Sequence, residues 1–158
     1  MREWLKTNRK RLGAAVLLAA AAVLAFQFMW LDPDTHSDSI SVLVMETSGL
    51  KTSESRSEVI PPDDPRYAQL LALVNSQSYR RYFDQSSRGI QASVGKSVAF
   101  LTLRFYLDGQ ETLQVELCSE PGSVIRINYQ NAGPWPGGKS GAELFGEAME
   151  ILKGGEAS

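Results

Sequence analysis

The chain has 158 residues, one cysteine, one histidine and a formal net charge of −2, which leaves room for one domain of ordinary size plus a short extra segment. A lone Cys118 excludes an internal disulfide, and with His36 it offers too few ligands for a nitrogen–sulfur metal site. The charge is lopsided: residues 1–31 hold Arg2, Lys6, Arg9, Lys10 and Arg11 against Glu3, while the remainder holds eleven basic and seventeen acidic residues, without the basic patch that nucleic acid needs.

The first element is LGAAVLLAAAAVLAFQFMWL, Leu12 to Leu31, with no charge and only Gln27 polar. About 20 apolar residues span a bilayer core as a helix. The basic cluster before the segment predicts a cell-membrane protein, single-pass, with a cytoplasmic N-terminus and the rest outside. Val23-Leu24-Ala25 has the small residues of a signal cleavage site, but the apolar run continues past it, which favours an uncleaved anchor. The expected divisions are a cytoplasmic tail at 1–11, a transmembrane anchor at 12–31 and a juxtamembrane linker at 32–38. An extracytoplasmic domain at 39–153 and a tail at 154–158 complete the chain.

Ser39–Ser48 is short and rich in β-branched residues, hence a strand. A polar turn follows, and Val59-Ile60 forms a brief strand that Pro61-Pro62 stops. Asp64 suits a helix N-cap and Pro65 the first helical position. Tyr67, Leu70, Leu71, Val74 and Tyr82 recur near helical spacing, so the helix is expected to run to about Phe83 before a patternless loop.

From Ser97 to Gln130 apolar residues alternate: Ala99, Leu101, Leu103, Phe105 and Leu107, then Leu113, Val115 and Leu117, then Ile125, Ile127 and Tyr129. All are odd-numbered, so each turn must pair odd with odd to keep one apolar face. A two-residue Asp108-Gly109 turn would oppose Phe105 and Thr112. Parity therefore predicts a three-residue bulged loop, with Tyr106 opposite Gln110 and Leu103 opposite Leu113. Glu120-Pro121-Gly122-Ser123 reads as a type II turn. The even face carries Phe100, Thr102, Arg104, Thr112, Gln114, Glu116, Cys118, Arg126 and Asn128, with Glu116 opposite Arg126, and is expected to be solvated. Ser140 to Glu143 fits a capping box, and Leu144, Phe145, Ala148, Ile151 and Leu152 give the last helix its apolar stripe. The expected fold is α+β: an N-terminal transmembrane helix, then a two-layer domain whose antiparallel sheet of 4–5 strands carries two helices on one face.

Gly133–Ser140, GPWPGGKS, matches the phosphate loop G-x-x-x-x-G-K-[ST] letter for letter. Pro134 and Pro136 lack the N–H groups such a loop needs, and no later strand remains to supply a magnesium-binding Asp. The motif reads instead as a connection and a helix cap. Ser93-Val94-Gly95-Lys96 and Lys139-Ser140-Gly141 mimic penicillin-binding-protein motifs, but Ser93 leads into a strand and Lys139 into a helix, the reverse of that arrangement. His36 lies in the linker, so no histidine is left in the folded part for a triad.

The anchor at 12–31 and the β-α-βββ-α order across 39–153 resemble small membrane-anchored extracytoplasmic domains of unknown function from Gram-positive bacteria. That resemblance of layout implies an exported module and brings no site residues. The expected function is a binding or interaction module for an envelope protein or peptide, with Phe100, Arg104, Arg126, Trp135 and Lys139 as candidate contacts. Its rival is an envelope-acting enzyme with carboxylates on the sheet face. The expectation includes no catalytic residue, cofactor, metal or nucleic acid, and nucleotide is disfavoured.

Overall fold

A computed structural model describes residues 2–48, 51–82 and 97–154. The chain divides into two compact units, Met1–Trp30 and Leu31–Ser158. The first is helix α1, Arg2–Met29. Val16, Leu17, Leu18, Val23 and Leu24 of α1 are exposed. Among the described residues no helix is long and apolar enough to cross a membrane, which overturns the expected transmembrane helix.

The second unit is built on an antiparallel sheet of eight strands, not four or five. In chain order these are β1 (Trp30–Leu31), β2 (Ser39–Ser48), β3 (Lys51–Ile60), β4 (Tyr79–Arg81), β5 (Ser97–Leu107), β6 (Gln110–Cys118), β7 (Ile125–Ile127) and β8 (Gln130–Pro134). They lie side by side as β1-β4-β8-β7-β6-β5-β2-β3. Helix α2 (Pro65–Asn75) follows β3, and α3 (Gly141–Gly154) closes the chain.

The extra strands hide from pattern reading for separable reasons. β3 is an edge strand whose polar run KTSESRSE has no apolar alternation. Charged edges of that kind discourage pairing with other chains. β4 has three residues, two of them arginines, and follows a helix that ends early. Ser76 accounts for the early end, because both its N–H and its hydroxyl bond the carbonyl of Leu73. The predicted helix to Phe83 therefore stops at Asn75, and Phe83 itself falls outside the described residues, as do Ser93 and Lys96. β8 reads QNAGP, where Gly133 and Pro134 signal a loop. Gly133 has a packing reason: a Cβ there would run into the phenol ring of Tyr82.

The core forms on the face that carries the odd-numbered residues of β5, β6 and β7 and the even-numbered ones of β2. Ile40, Val42, Leu101, Leu103, Phe105, Leu113, Val115, Ile125 and Ile127 pack in one cluster with Leu70 and Val74 of α2 and Leu144, Ala148 and Leu152 of α3. Each large side chain so buried contributes roughly 1.5–3 kcal/mol. Tyr79 is fully buried and donates its hydroxyl to the carbonyl of Val74 at 2.9 Å, so the one polar atom it brings is satisfied.

The β5–β6 hairpin corrects the parity argument. Asp108 and Gly109 have φ of 52° and 75°, and Leu107 pairs with Gln110, so this is the tight two-residue turn with both central residues left-handed. Parity is restored one step later. The register shifts past Tyr106–Glu111, leaving Thr112 bulged, so that Phe105 opposes Leu113 and Leu103 opposes Val115. The bulge exists, but in the strand rather than in the loop.

Residues 32–38 are strapped to the second unit. Tyr67 donates to the carbonyl of Ser37 at 2.5 Å, Thr112 to that of His36 at 3.2 Å, and Asp38 Oδ2 accepts from the N–H of Asp108 at 2.8 Å.

Candidate contact site on the sheet face opposite the core

The sheet face opposite α2 and α3 carries the even-numbered residues of β5, β6 and β7 and the odd-numbered ones of β2 and β8. Register places Ser41, Arg104 and Gln114 in one row across β2, β5 and β6, and Leu43, Thr102, Glu116, Arg126 and Asn131 in the next, continuing into β7 and β8. Phe100 sits one row further, between Met45 and Cys118. Three sequence candidates, Phe100, Arg104 and Arg126, therefore share this face.

Its polar side chains form a directed chain. Arg126 Nη1 donates to Glu116 Oε2 at 2.8 Å, the cross-strand pair the alternation predicts. Glu116 Oε1 accepts from Gln114 Nε2 at 2.5 Å. A carboxylate only accepts, so the Gln114 atom facing it must be the amide nitrogen, and Oε1 must face the other way. Gln114 is 2 % exposed, and its Oε1 is buried with no hydrogen-bond partner. Directly across the strand pair, Arg104 Nε is likewise buried without a hydrogen bond. Its nearest acid, Glu111 Oε2, stands at 3.8 Å, beyond hydrogen-bond reach.

The β7–β8 turn adds an aromatic group. Asn128 and Tyr129 have φ of 47° and 65°, a second two-residue turn, in which Ile127 pairs with Gln130. Asn128 is held by Gln114 from both sides: its N–H donates to the Gln114 carbonyl, and its Oδ1 accepts the Gln114 N–H. Tyr129 is left 63 % exposed in a backbone conformation that costs a bulky residue about 1 kcal/mol or more. Neither Gln114 nor Tyr129 was a sequence candidate, and Tyr129, expected on the apolar face with Ile125 and Ile127, is instead exposed in the turn. The signal available for it was Asn128 directly after the β-branched run Val124–Ile127, which marks a turn.

Trp135 and Lys139 lie elsewhere, in the connection from β8 to α3. Trp135 donates Nε1 to the carbonyl of Tyr79 at 3.2 Å, and the backbone of Lys139 is clasped on both sides by the Gln77 amide. Lys139 Nζ pairs with Glu147 at 2.5 Å. The phosphate-loop letters resolve into three parts. Gly133-Pro134 ends β8. Trp135 to Gly138 is a β-turn closed by Gly138 N–H to Trp135 carbonyl, with Pro136 leading and Gly137 at φ 89°. Ser140 caps α3, and its N–H and hydroxyl both bond Glu143 Oε2. An internal carboxylate thus takes the place an anion would occupy at this helix start.

The acids offer little for the enzymatic rival. Glu111 and Glu116 stand opposite Arg104 and Arg126. Among the described residues, the carboxylates whose pKa is displaced, Asp34, Asp38, Asp64 and Glu143, all move down, because each accepts hydrogen bonds, from His36, Ser39, Arg66 and Ser140 respectively. A general acid needs the opposite shift. An open cleft of about 500 Å³ lies between the start of α2 and the end of α3, lined by Asp63, Asp64, Arg66 and Glu150 among others, and Arg66 there bridges Asp64 and Glu58. Compared with known protein families, curated proteins and solved structures, the chain matches none.

Proposed function

We propose that residues 31–154 form a binding module whose contact surface is the sheet face opposite the core, centred on Arg104, Gln114 and Arg126 and flanked by Phe100 and Tyr129. The observation that carries this reading is Tyr129. An aromatic residue that is both strained and exposed lowers stability without covering any core, and such residues concentrate where a surface is used. The paired acids on the same face favour binding over hydrolysis. We further propose that the exposed apolar side chains of α1 keep the module at a membrane surface, since Leu17 and Leu18 are each 72 % exposed.

The test is site-specific photo-crosslinking in the producing cells. A benzoylphenylalanine at Phe100 or Tyr129 is expected to give a discrete adduct with a second polypeptide, whereas the same group at Gln69, in the cleft on the other face, gives none. Adducts from Gln69 alone would move the contact surface to that cleft.

A further inference from the structure

Val23-Leu24-Ala25 is a motif that the contact surface leaves unused. A basic cluster, then an apolar run, then short side chains at two positions one residue apart is the arrangement that signal peptidases read, cutting after the second. Here Arg9-Lys10-Arg11 leads, the run starts at Leu12, and Val23 and Ala25 hold the two positions. The apolar residues past Ala25 speak for an uncleaved segment only where they complete a membrane-crossing helix, and no described helix is long and apolar enough for that. Ala25 is exposed, as are Val23 at 58 % and Leu24 at 55 %, so the side chains to be read are open to a partner. A peptidase takes its substrate extended, so α1 must open at the cut. The bond after Ala25 lies about one turn from the helix end at Met29. The last four carbonyls of a helix lack partners within it, and this last turn has no basic residue to offset their negative charge. Such ends open at the least cost. Beyond the cut, the core cluster runs from Ile40 to Leu152 with Leu31 packed against it, and the bonds at His36, Ser37 and Asp38 hold the strap, so the second unit keeps its contacts without residues 1–25.

Resting on the reading of α1 as the element that keeps the module at a membrane surface, we propose that the Ala25–Phe26 peptide bond is a processing site. A membrane-bound peptidase with small apolar pockets for Val23 and Ala25 cuts it and sets the module free. Water adds at the Ala25 carbonyl carbon and the bond to the Phe26 nitrogen breaks. Ala25 leaves as a carboxylate, and the Phe26 nitrogen takes up the proton as the new terminal amine. The cut removes every large apolar side chain exposed on α1: Val16, Leu17, Leu18, Val23 and Leu24. It also removes Arg2, Lys6, Arg9, Lys10 and Arg11, leaving eleven basic against seventeen acidic residues. Anionic lipid attracts the chain before the cut and repels the module after it. Release therefore works through both the apolar and the electrostatic contribution.

The experiment recovers the full chain from the producing cells through a C-terminal tag and reads the membrane and soluble fractions by intact mass. The soluble fraction is expected to hold a chain that begins at Phe26, and the membrane fraction the chain that keeps residues 1–25. Ala25→Phe overfills a small pocket and is expected to abolish the Phe26 form, whereas Ala25→Ser keeps it. An unchanged urea midpoint for Ala25→Phe shows that this loss is not misfolding. A soluble chain cut at another bond, or a Phe26 form that persists in Ala25→Phe, overturns the proposal. Uncut chain confined to the membrane fraction overturns the processing and leaves the membrane role of α1 standing. Uncut chain in the soluble fraction overturns that role and the release with it.

Discussion

At the residue scale the most informative side chain is Tyr129. Replacing it with glycine removes the left-handed strain, since glycine adopts positive φ freely. Tyr129→Gly is expected to raise stability by about 1 kcal/mol, seen as a higher urea midpoint, while weakening partner capture. Gly133 has the reverse logic. Gly133→Ala forces a methyl group against Tyr82 and is expected to cost about 2 kcal/mol, part of which Tyr82→Ala recovers in the double variant. Cys118 is 1 % exposed, and burial pushes its thiol pKa up. A thiol reagent at neutral pH should therefore label the folded chain slowly and the urea-unfolded chain at the free-thiol rate.

At the element scale, legibility followed apolar alternation. β5, β6 and β7 showed their odd-numbered faces plainly, and the Glu116–Arg126 pairing followed from parity. The Asp108 turn shows where parity runs out. It demands one extra residue in the hairpin but does not say where, and the backbone put that residue at Thr112 because Asp-Gly is so well suited to the tight turn. Of β3 only the Val59-Ile60 end was read, and β4 not at all, because edge strands and three-residue strands bury too little to impose a pattern. The same limit hid the site: Gln114 belongs by sequence to a solvated face, and its burial comes from neighbours that alternation does not describe.

The helix caps make a prediction at this same scale. Asp64, the N-cap of α2, is held below the usual carboxylate range chiefly by the Arg66 side chain, and Glu143 by the Ser140 N–H. A folded-state pKa that is depressed adds stability above the unfolded value, and that stability is lost as pH falls through the folded one. The urea midpoint should therefore fall progressively as pH drops below the ordinary carboxylate value of about 4. Asp64→Asn, which still caps, should flatten part of that slope. At neutral pH Ser140→Ala is expected to cost about 1 kcal/mol, with ATP and magnesium leaving the melting temperature of the parent chain unchanged.

At the scale of the whole molecule, α2 and α3 pack on one side of the sheet, and α1 presents exposed apolar side chains. The full chain is expected to float with anionic liposomes, and a chain lacking residues 1–30 to remain in the load fraction. Flotation of both forms would remove α1 from the account of membrane association.

The strap at 32–38 also sets how the second unit bears a load. A pull on Leu31 loads the β1–β4 pairing first and then the bonds at His36, Ser37 and Asp38. Beyond Ser39 the force enters β2, whose ten residues are flanked by β3 on one side and β5 on the other. Both ladders must then slide together in shear. The module is thus compliant over its first few residues and stiff behind them, a fuse in series with a brace. Stretched in an optical trap, it should show a small early extension followed by one abrupt high-force rupture.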